Sequence, residues 1–144
     1  MNVLVDVLPN GFKVLKITDF GLSKKETETE VQSSTLAELT TSYYISPEVI
    51  KGEKVTSKVD IWALGILFYQ LATTKHPFER ATNFDMKQAI KESEPASLPE
   101  TVPDLIRYLV YILLHKNADS RPNAATILRL PEVNEHVQRF VKEL

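Results

Sequence analysis

The chain has 144 residues, of which 43% are hydrophobic and 25% charged, a length and composition typical of a single folded domain with its own core. A formal net charge of -2 at pH 7 gives no electrostatic reason to expect binding to nucleic acid or to an anionic membrane surface. The sequence has no cysteine, which excludes disulfides, thiolate metal sites and a cysteine nucleophile and fits a reducing compartment. Since the first residues also do not resemble a signal peptide, we expect a soluble, cytoplasmic protein.

Two short runs rich in β-branched residues, 2–6 and 12–18, open the chain and are separated by a segment with Pro, Asn and Gly at 9–11. This arrangement predicts a β-hairpin. The polar run that follows, 24–41, is rich in Ser, Thr and Glu. It predicts a loop.

The stretch 58–74 carries the strongest structural signal, because only Gly65 and Gln70 interrupt its apolar and aromatic residues from 61 to 72. This run is shorter than the roughly 20 residues of a membrane span, so it predicts a helix that is hydrophobic on all sides and buried at the centre of the domain. Asp60 in its first turn matches the positive end of the helix dipole. Because this carboxylate leads into buried surroundings, it needs hydrogen-bonding partners.

The rest of the chain predicts further helices: 83–93 with Asn83 as its cap, 104–115 with apolar residues at helical spacing, a short helix that Pro122 opens, and a charged amphipathic helix over 131–144. The predicted fold class is therefore mainly α, a helical bundle around one central buried helix with a small N-terminal β-hairpin. The three histidines lack metal-ligand spacing and are interpreted as structural or exposed.

Four short motifs occur along the chain: TDFG at 18–21, YYISPE at 43–48, DIW at 60–62 and SRP at 120–122. In this order and with these spacings, they make the chain resemble the C-terminal lobe of the eukaryotic protein kinases of the serine/threonine type. The stretch 116–133 is similar to the NIMA-related kinases.

The resemblance covers essentially the whole chain. It implies one partial protein kinase domain, 1–144, with a β-hairpin at 1–18, an activation segment at 19–48 and a helical subdomain at 49–144. It also implies ATP and Mg²⁺ as cofactors, and a protein substrate and an activating kinase as partners.

The resemblance assigns Asp19 and Asn2 to Mg²⁺ and puts Leu4 beneath the adenine ring. Phe20 corresponds to the aromatic residue that packs beside the metal-binding aspartate, and Gly21 to a flexible hinge. An acidic residue, an aromatic residue and a glycine in succession supply a ligand for a hard cation, an apolar anchor and a mobile backbone. The alternatives are an ordinary turn at Asp-x-Gly and a fraying asparagine near a chain terminus.

Within the activation segment, Thr41 resembles the threonine that serine/threonine kinases place beside the catalytic aspartate. The candidate phosphorylation sites are Thr35, Ser34 and Thr40, where an added charge would order the segment by pairing with basic groups. The alternative is that they are solvated loop hydroxyls.

Glu48 and Arg121 resemble the buried ion pair that ties the activation segment of a kinase to its helical base. The alternative is a pair of unrelated surface charges. Asp60 resembles the aspartate that accepts hydrogen bonds from the backbone of the catalytic loop. Because most of that loop would precede Met1, we expect Asp60 to be an under-satisfied acceptor in this chain.

The resemblance thus implies a fragment of an ATP-dependent serine/threonine protein kinase, which transfers a phosphoryl group from Mg-ATP to protein Ser or Thr. In that family the catalytic aspartate precedes the position of Met1, so we expect no catalytic residue of this kind in the chain and no activity of the chain alone. The alternatives are a catalytically inactive kinase lobe that binds peptides or a partner kinase, and an unrelated helical domain.

Overall fold

The structure, a computed structural model, describes residues 2–21 and 42–143. The fold class, mainly α with a small N-terminal hairpin, is confirmed. Among the described residues, no helix has the length and hydrophobicity that a membrane crossing requires. The elements are β1 (Val3–Val7), β2 (Lys13–Ile17), a 3-10 turn (Ser42–Tyr44), α1 (Pro47–Lys51), α2 (Lys58–Thr73), α3 (Asn83–Glu92), α4 (Asp104–Leu113), a second 3-10 turn (Ala118–Ser120), α5 (Ala124–Leu128) and α6 (Pro131–Glu143).

The predicted hairpin is confirmed, with β1 and β2 paired antiparallel. In its turn, Asn10 Oδ1 accepts from the backbone N–H of Phe12 at 3.0 Å, and Gly11 has a φ of 80°, which glycine adopts without steric cost. The ring of Phe12 packs against Phe140 of α6, with the ring centroids 5.6 Å apart. The hairpin therefore contacts the last helix of the chain.

The central helix, α2, packs into two hydrophobic clusters. Trp62, Ile66 and Tyr69 belong to the larger cluster, while Ile61 belongs to a smaller one with residues of α4 and α5. The prediction of burial on all sides is wrong, however, since Leu71 is 63% exposed. Leu71 borders an open groove between the end of α2 and the segment that leads into α4. The helix is central, but part of its C-terminal half is uncovered.

Side-chain caps set the starts of α3 and α5. Thr82 Oγ1 accepts from the backbone N–H three residues later at 3.1 Å, so Thr82 caps α3 and the prediction of Asn83 is wrong. Asn123 Oδ1 caps α5 in the same way at 2.8 Å, which leaves Pro122 before the helix. Both caps have extended backbones, the geometry in which a short polar side chain reaches back to the first turn.

Gly65 marks the closest approach of α2 to the end of α4. A Cβ atom at this position would lie 2.7 Å from Leu114 Cδ2 and 2.9 Å from Leu113 Cβ, both shorter than a van der Waals contact. Glycine is unfavourable inside a helix relative to alanine. Here the packing of the two helices outweighs that preference.

A buried ion pair joins α1 to the segment after α4. Arg121 Nη1 and Nη2 donate to the two carboxylate oxygens of Glu48, both at 2.8 Å. The other donors reach backbone carbonyls: Nε that of His115 at 2.8 Å, Nη1 that of Lys58 at 2.9 Å and Nη2 that of Lys116 at 3.3 Å. The donors of the guanidinium are thus satisfied although the side chain is fully buried.

His76 holds the segment that leads into α1. Its ring is buried, Nε2 lies 2.7 Å from the carbonyl oxygen of Tyr43, and Nδ1 accepts from the backbone N–H of Phe78 at 3.1 Å. Because Nδ1 accepts, the single ring proton is assigned to Nε2 and the imidazole is neutral. Burial lowers the pKa of His76, and the weaker effects of Tyr43 and Glu79 oppose this. The interpretation of His76 as structural is therefore confirmed.

Gly65→Ala should destabilise the protein by about 1–3 kcal/mol, because the new methyl group overpacks against Leu113 and Leu114. Helix propensity alone predicts the opposite sign, a gain of about 0.5–1 kcal/mol. Urea unfolding measures the difference. Gly65→Ala should cost less when it is made in a Leu114→Ala background than in wild type, because Leu114 Cδ2 is then gone. A stability equal to or above wild type for Gly65→Ala would contradict the close approach.

Arg121→Ala should lower the free energy of unfolding by about 3–5 kcal/mol, since it leaves the buried Glu48 carboxylate without its partner. Lys142→Ala, which removes an exposed cation from α6, should change it by less than about 0.5 kcal/mol. Thermal unfolding of the two variants makes the comparison. Equal melting temperatures would show that the ion pair contributes no stability.

The titration of His76 should make the protein less stable as the pH falls below about 6.5. The folded-state pKa is below the unfolded value, so between the two the unfolded chain binds more protons and acidification favours it. Urea unfolding at several pH values should give a shallower pH dependence for His76→Gln than for wild type. His136→Gln, at an exposed position, serves as the control and should keep the wild-type slope. An unchanged slope in His76→Gln would contradict this assignment.

Candidate functional site

The open end of the hairpin brings Asn2 and Asp19 together, although 17 positions separate them in the sequence. The strand register puts Val3 opposite Ile17, and beyond that pair the backbone N–H of Thr18 donates to the carbonyl of Asn2 at 2.9 Å. This pairing leaves Asn2 Nδ2 3.5 Å from Asp19 Oδ2. Both side chains are exposed, so a ligand can reach them from solvent.

Asp19 has a φ of 64°, a left-handed conformation that non-glycine residues seldom adopt. Such a conformation costs on the order of 1–3 kcal/mol, and it tends to occur at functional sites. The following glycine matters as well, because a Cβ at Gly21 would lie 3.4 Å from Asp19 Oδ1. Glycine therefore leaves one side of the carboxylate open.

The carboxylate of Asp19 and the amide oxygen of Asn2 are ligands of the type that Mg²⁺ prefers. The amide nitrogen of Asn2 faces Asp19. Rotation of this amide group by 180° would turn its oxygen toward Asp19 instead. Within the part of the chain that the structure describes, no group of three or more His, Cys, Asp or Glu side chains could hold a metal ion. Mg²⁺ usually takes one or two protein ligands and completes its octahedron with water and phosphate oxygens, so these two side chains fit it.

Leu4 and Phe20 lie exposed near the same end of the hairpin. Leu4 is 58% exposed, so its side chain is free to contact a ligand. Phe20 is 66% exposed, and the apolar anchor that its motif predicts is not formed by the described residues. The structure thus brings together the two polar candidates and leaves both apolar ones uncovered.

Asp60 is less buried than its place at the start of the central helix predicts. The residue as a whole is exposed rather than buried, and its carboxylate accepts no hydrogen bond from residues 2–21 or 42–143. Partial burial of the carboxyl group still raises its pKa. The carboxylate of Asp60 therefore has no hydrogen-bonding partner among the described residues, and the helix dipole provides a favourable contribution at this position.

The candidates that the resemblance assigns to an activation segment lie outside the described residues: Thr41 and the phosphorylation candidates Thr35, Ser34 and Thr40. Residues 43–48, which the structure describes, are held to the helical part of the chain by side-chain contacts. Tyr44 donates its hydroxyl hydrogen to Gln70 Oε1 at 3.0 Å, and Glu48 makes the ion pair with Arg121.

Sequence reasoning missed Lys116, which joins several helices. Its ammonium donates to the carbonyl of Ile90 in α3 at 2.7 Å and lies 4.0 Å from the ring centre of Phe78 and 5.3 Å from that of Trp62. Burial lowers the pKa of Lys116 to about 8, and the neighbouring Arg121 contributes. A lone lysine after a helix gives no sequence signal of such an environment, because its neighbours are distant along the chain.

Comparison with known proteins supports the resemblance. Residues 1–132 match the protein kinase domain family. G2-specific protein kinase nim-1 of Neurospora crassa is 38% identical over 119 residues, which are 83% of this chain and 14% of the relative. Human serine/threonine-protein kinase Nek11 is 32% identical over 128 residues, 89% of this chain and 20% of the relative. The probable serine/threonine-protein kinase nek3 of Dictyostelium discoideum is 33% identical over 138 residues, which are 94% of this chain and 12% of the relative.

The chain therefore spans only 12–20% of the length of these relatives. The family match nevertheless covers residues 1–132 of 144. This chain belongs to the protein kinase family, and within that family it is similar to the NIMA-type serine/threonine kinases.

Proposed function

We propose that the chain is part of an ATP-dependent serine/threonine protein kinase that transfers a phosphoryl group from Mg-ATP to Ser or Thr of a protein substrate. The observation that carries this proposal is the meeting of Asn2 and Asp19, 3.5 Å apart at the exposed end of the hairpin, in a chain of the protein kinase family. The serine/threonine kinases among its relatives favour the same activity.

In this proposal, each residue near the end of the hairpin has one task. Asp19 offers carboxylate oxygens and Asn2 an amide oxygen to Mg²⁺, and Gly21 leaves room beside the carboxylate for a phosphate group. Leu4 offers an apolar surface to the adenine ring. Asp19 and Asn2 would hold Mg²⁺, which when bound would supply positive charge to offset the negative charge of the phosphates.

The same proposal leaves part of the chemistry to other residues. Phosphoryl transfer also needs a residue that accepts the proton of the substrate hydroxyl and a loop that covers the phosphates. We assign both to parts of a protein kinase domain beyond this chain. By itself the chain should therefore bind Mg²⁺ weakly and should not catalyse transfer.

Regulation and location complete the proposal. Residues 1–18, 19–48 and 49–144 would be the hairpin, activation segment and helical subdomain of a partial kinase domain in the cytoplasm. Thr41 would support the catalytic aspartate, and an activating kinase would act on the segment. The acceptor sites would be Thr35, Ser34 and Thr40.

The metal site can be tested with Mn²⁺, whose unpaired electrons broaden the NMR signals of nearby nuclei. In the isotopically labelled chain, Mn²⁺ should broaden the amide signals around Asn2 and Asp19 with a Kd of roughly millimolar, because only two protein ligands contribute. Asp19→Asn removes the charged ligand and should raise this Kd on the order of tenfold.

Asp6→Asn is the matched control, since Asp6 is a carboxylate of the same hairpin but is paired with Lys16 Nζ at 2.5 Å. It should leave the broadening at Asp19 unchanged. Equal broadening in wild type and Asp19→Asn would contradict the metal site. In that case the second reading, a kinase lobe that binds peptides or a partner kinase without catalysis, would be favoured.

A further inference from the structure

Within residues 2–21 and 42–143, the hairpin that carries Asn2 and Asp19 has little apolar contact with the helices. Five large apolar side chains on its two strands are between 57% and 71% exposed, and Val3 and Val14 are half-buried. A two-stranded hairpin is at best marginally stable by itself in water. A contact that keeps this hairpin folded would therefore also keep the two polar side chains in place. The exposed residues are Leu4, Val5, Val7, Leu15 and Ile17.

The aromatic pair Phe12 and Phe140 supplies such a contact. Both residues are half-buried, their ring centroids are 5.6 Å apart, and the rings are tilted by 52°. Tilted pairs at this distance are favourable beyond the apolar area that they bury. Phe12 directly precedes β2, so the contact holds the turn end of the hairpin.

Phe140 in turn belongs to the apolar stripe of α6. Val133, Val137 and Phe140 follow the i, i+4, i+7 spacing that puts residues on one helix face, and all three are half-buried. Val133 packs against the smaller core cluster. One end of the stripe therefore lies on the helical core, and the other end lies on the hairpin.

We propose that Phe140 is a positioning residue for the site at Asn2 and Asp19: through Phe12 it holds the hairpin folded on α6, and the folded hairpin holds the two polar side chains together. The inference rests on the proposed metal-binding function of this pair. Seven residues at roughly 3.3 Å each put Phe12 about 23 Å from Asp19, too far for a direct contact. Phe140 therefore acts on Asp19 through the paired strands of the hairpin. An open hairpin separates Asn2 from Asp19, so the affinity for a cation falls with the folded fraction of the hairpin.

The test combines amide hydrogen exchange with Mn²⁺ broadening in the full chain. In Phe140→Ala, the amides of β1 and β2 should exchange about threefold to tenfold faster, the factor expected from the loss of one aromatic pair. Amides of α2 and α4 should keep their exchange rates. The Kd for Mn²⁺ at Asn2 and Asp19 should rise, by at most the same factor.

Four further variants complete the test, the first two as controls. Val141→Ala removes an exposed apolar side chain next to Phe140 and should change neither readout. Phe140→Tyr keeps the ring and should retain the wild-type exchange and Kd. Phe12→Ala should reproduce Phe140→Ala, and the double variant should be no worse than either single one, because the two residues act as a pair.

Unchanged exchange of the hairpin in Phe140→Ala, or an equal effect of Val141→Ala, would overturn the proposal. If Phe140→Ala unfolds the whole chain, Phe140→Leu decides: faster exchange confined to the hairpin supports the proposal, and equally faster exchange in α2 and α4 overturns it. Absence of Mn²⁺ broadening in the wild-type protein would contradict the metal site alone, because the exchange measurement requires no metal.

Discussion

The guanidinium of Arg121 lies where three separate parts of the helical region meet. It binds the Glu48 carboxylate of α1, a carbonyl in the first turn of α2 and two carbonyls after α4, and its side chain is fully buried. An unpaired charge in such surroundings is strongly unfavourable, so each of these segments must be in place for the others to be stable. Because the energy of a broken buried pair, about 3–5 kcal/mol, is a large share of a domain's net stability, this one side chain constrains much of the helical fold.

Near Arg121, two positively charged side chains lie over the faces of aromatic rings in the core. The rings of Trp62 and Phe78 stack with centroids 5.5 Å apart, Arg121 lies 4.9 Å from the Trp62 ring centre, and Lys116 lies 4.0 Å from that of Phe78. Such contacts are directional and fix the helices in one arrangement. Among the described residues, the hairpin contacts α6 through the aromatic pair Phe12 and Phe140, and many of its apolar side chains are exposed. The described helices thus share a well-packed core, whereas the hairpin that carries Asn2 and Asp19 has few contacts with them.

Much of the secondary structure could be predicted because it depends on neighbours in the sequence. The hairpin follows from two β-branched runs around a turn segment, and α2 and α6 follow from their apolar residues. The start of α3 was predicted one residue late, because Thr82 and Asn83 are both good caps and their backbone conformations decide between them. The kinase resemblance assigns both Asn2 and Asp19 to Mg²⁺, and the structure brings them within 3.5 Å of each other. Their distance depends on the strand register, which the sequence alone leaves open.

The sequence by itself determined the element types, the fold class and the protein kinase family, since local periodicity and short motifs carry that information. Only the tertiary structure decided that Leu71 is exposed, that α2 and α4 require glycine at position 65, and that burial lowers the pKa of His76 and Lys116. Each of these properties arises from atoms that are distant along the chain and close in space. Burial, close approach and electrostatic environment therefore depend on how the helices pack, and a sequence pattern reports only which residues each helix offers to that packing.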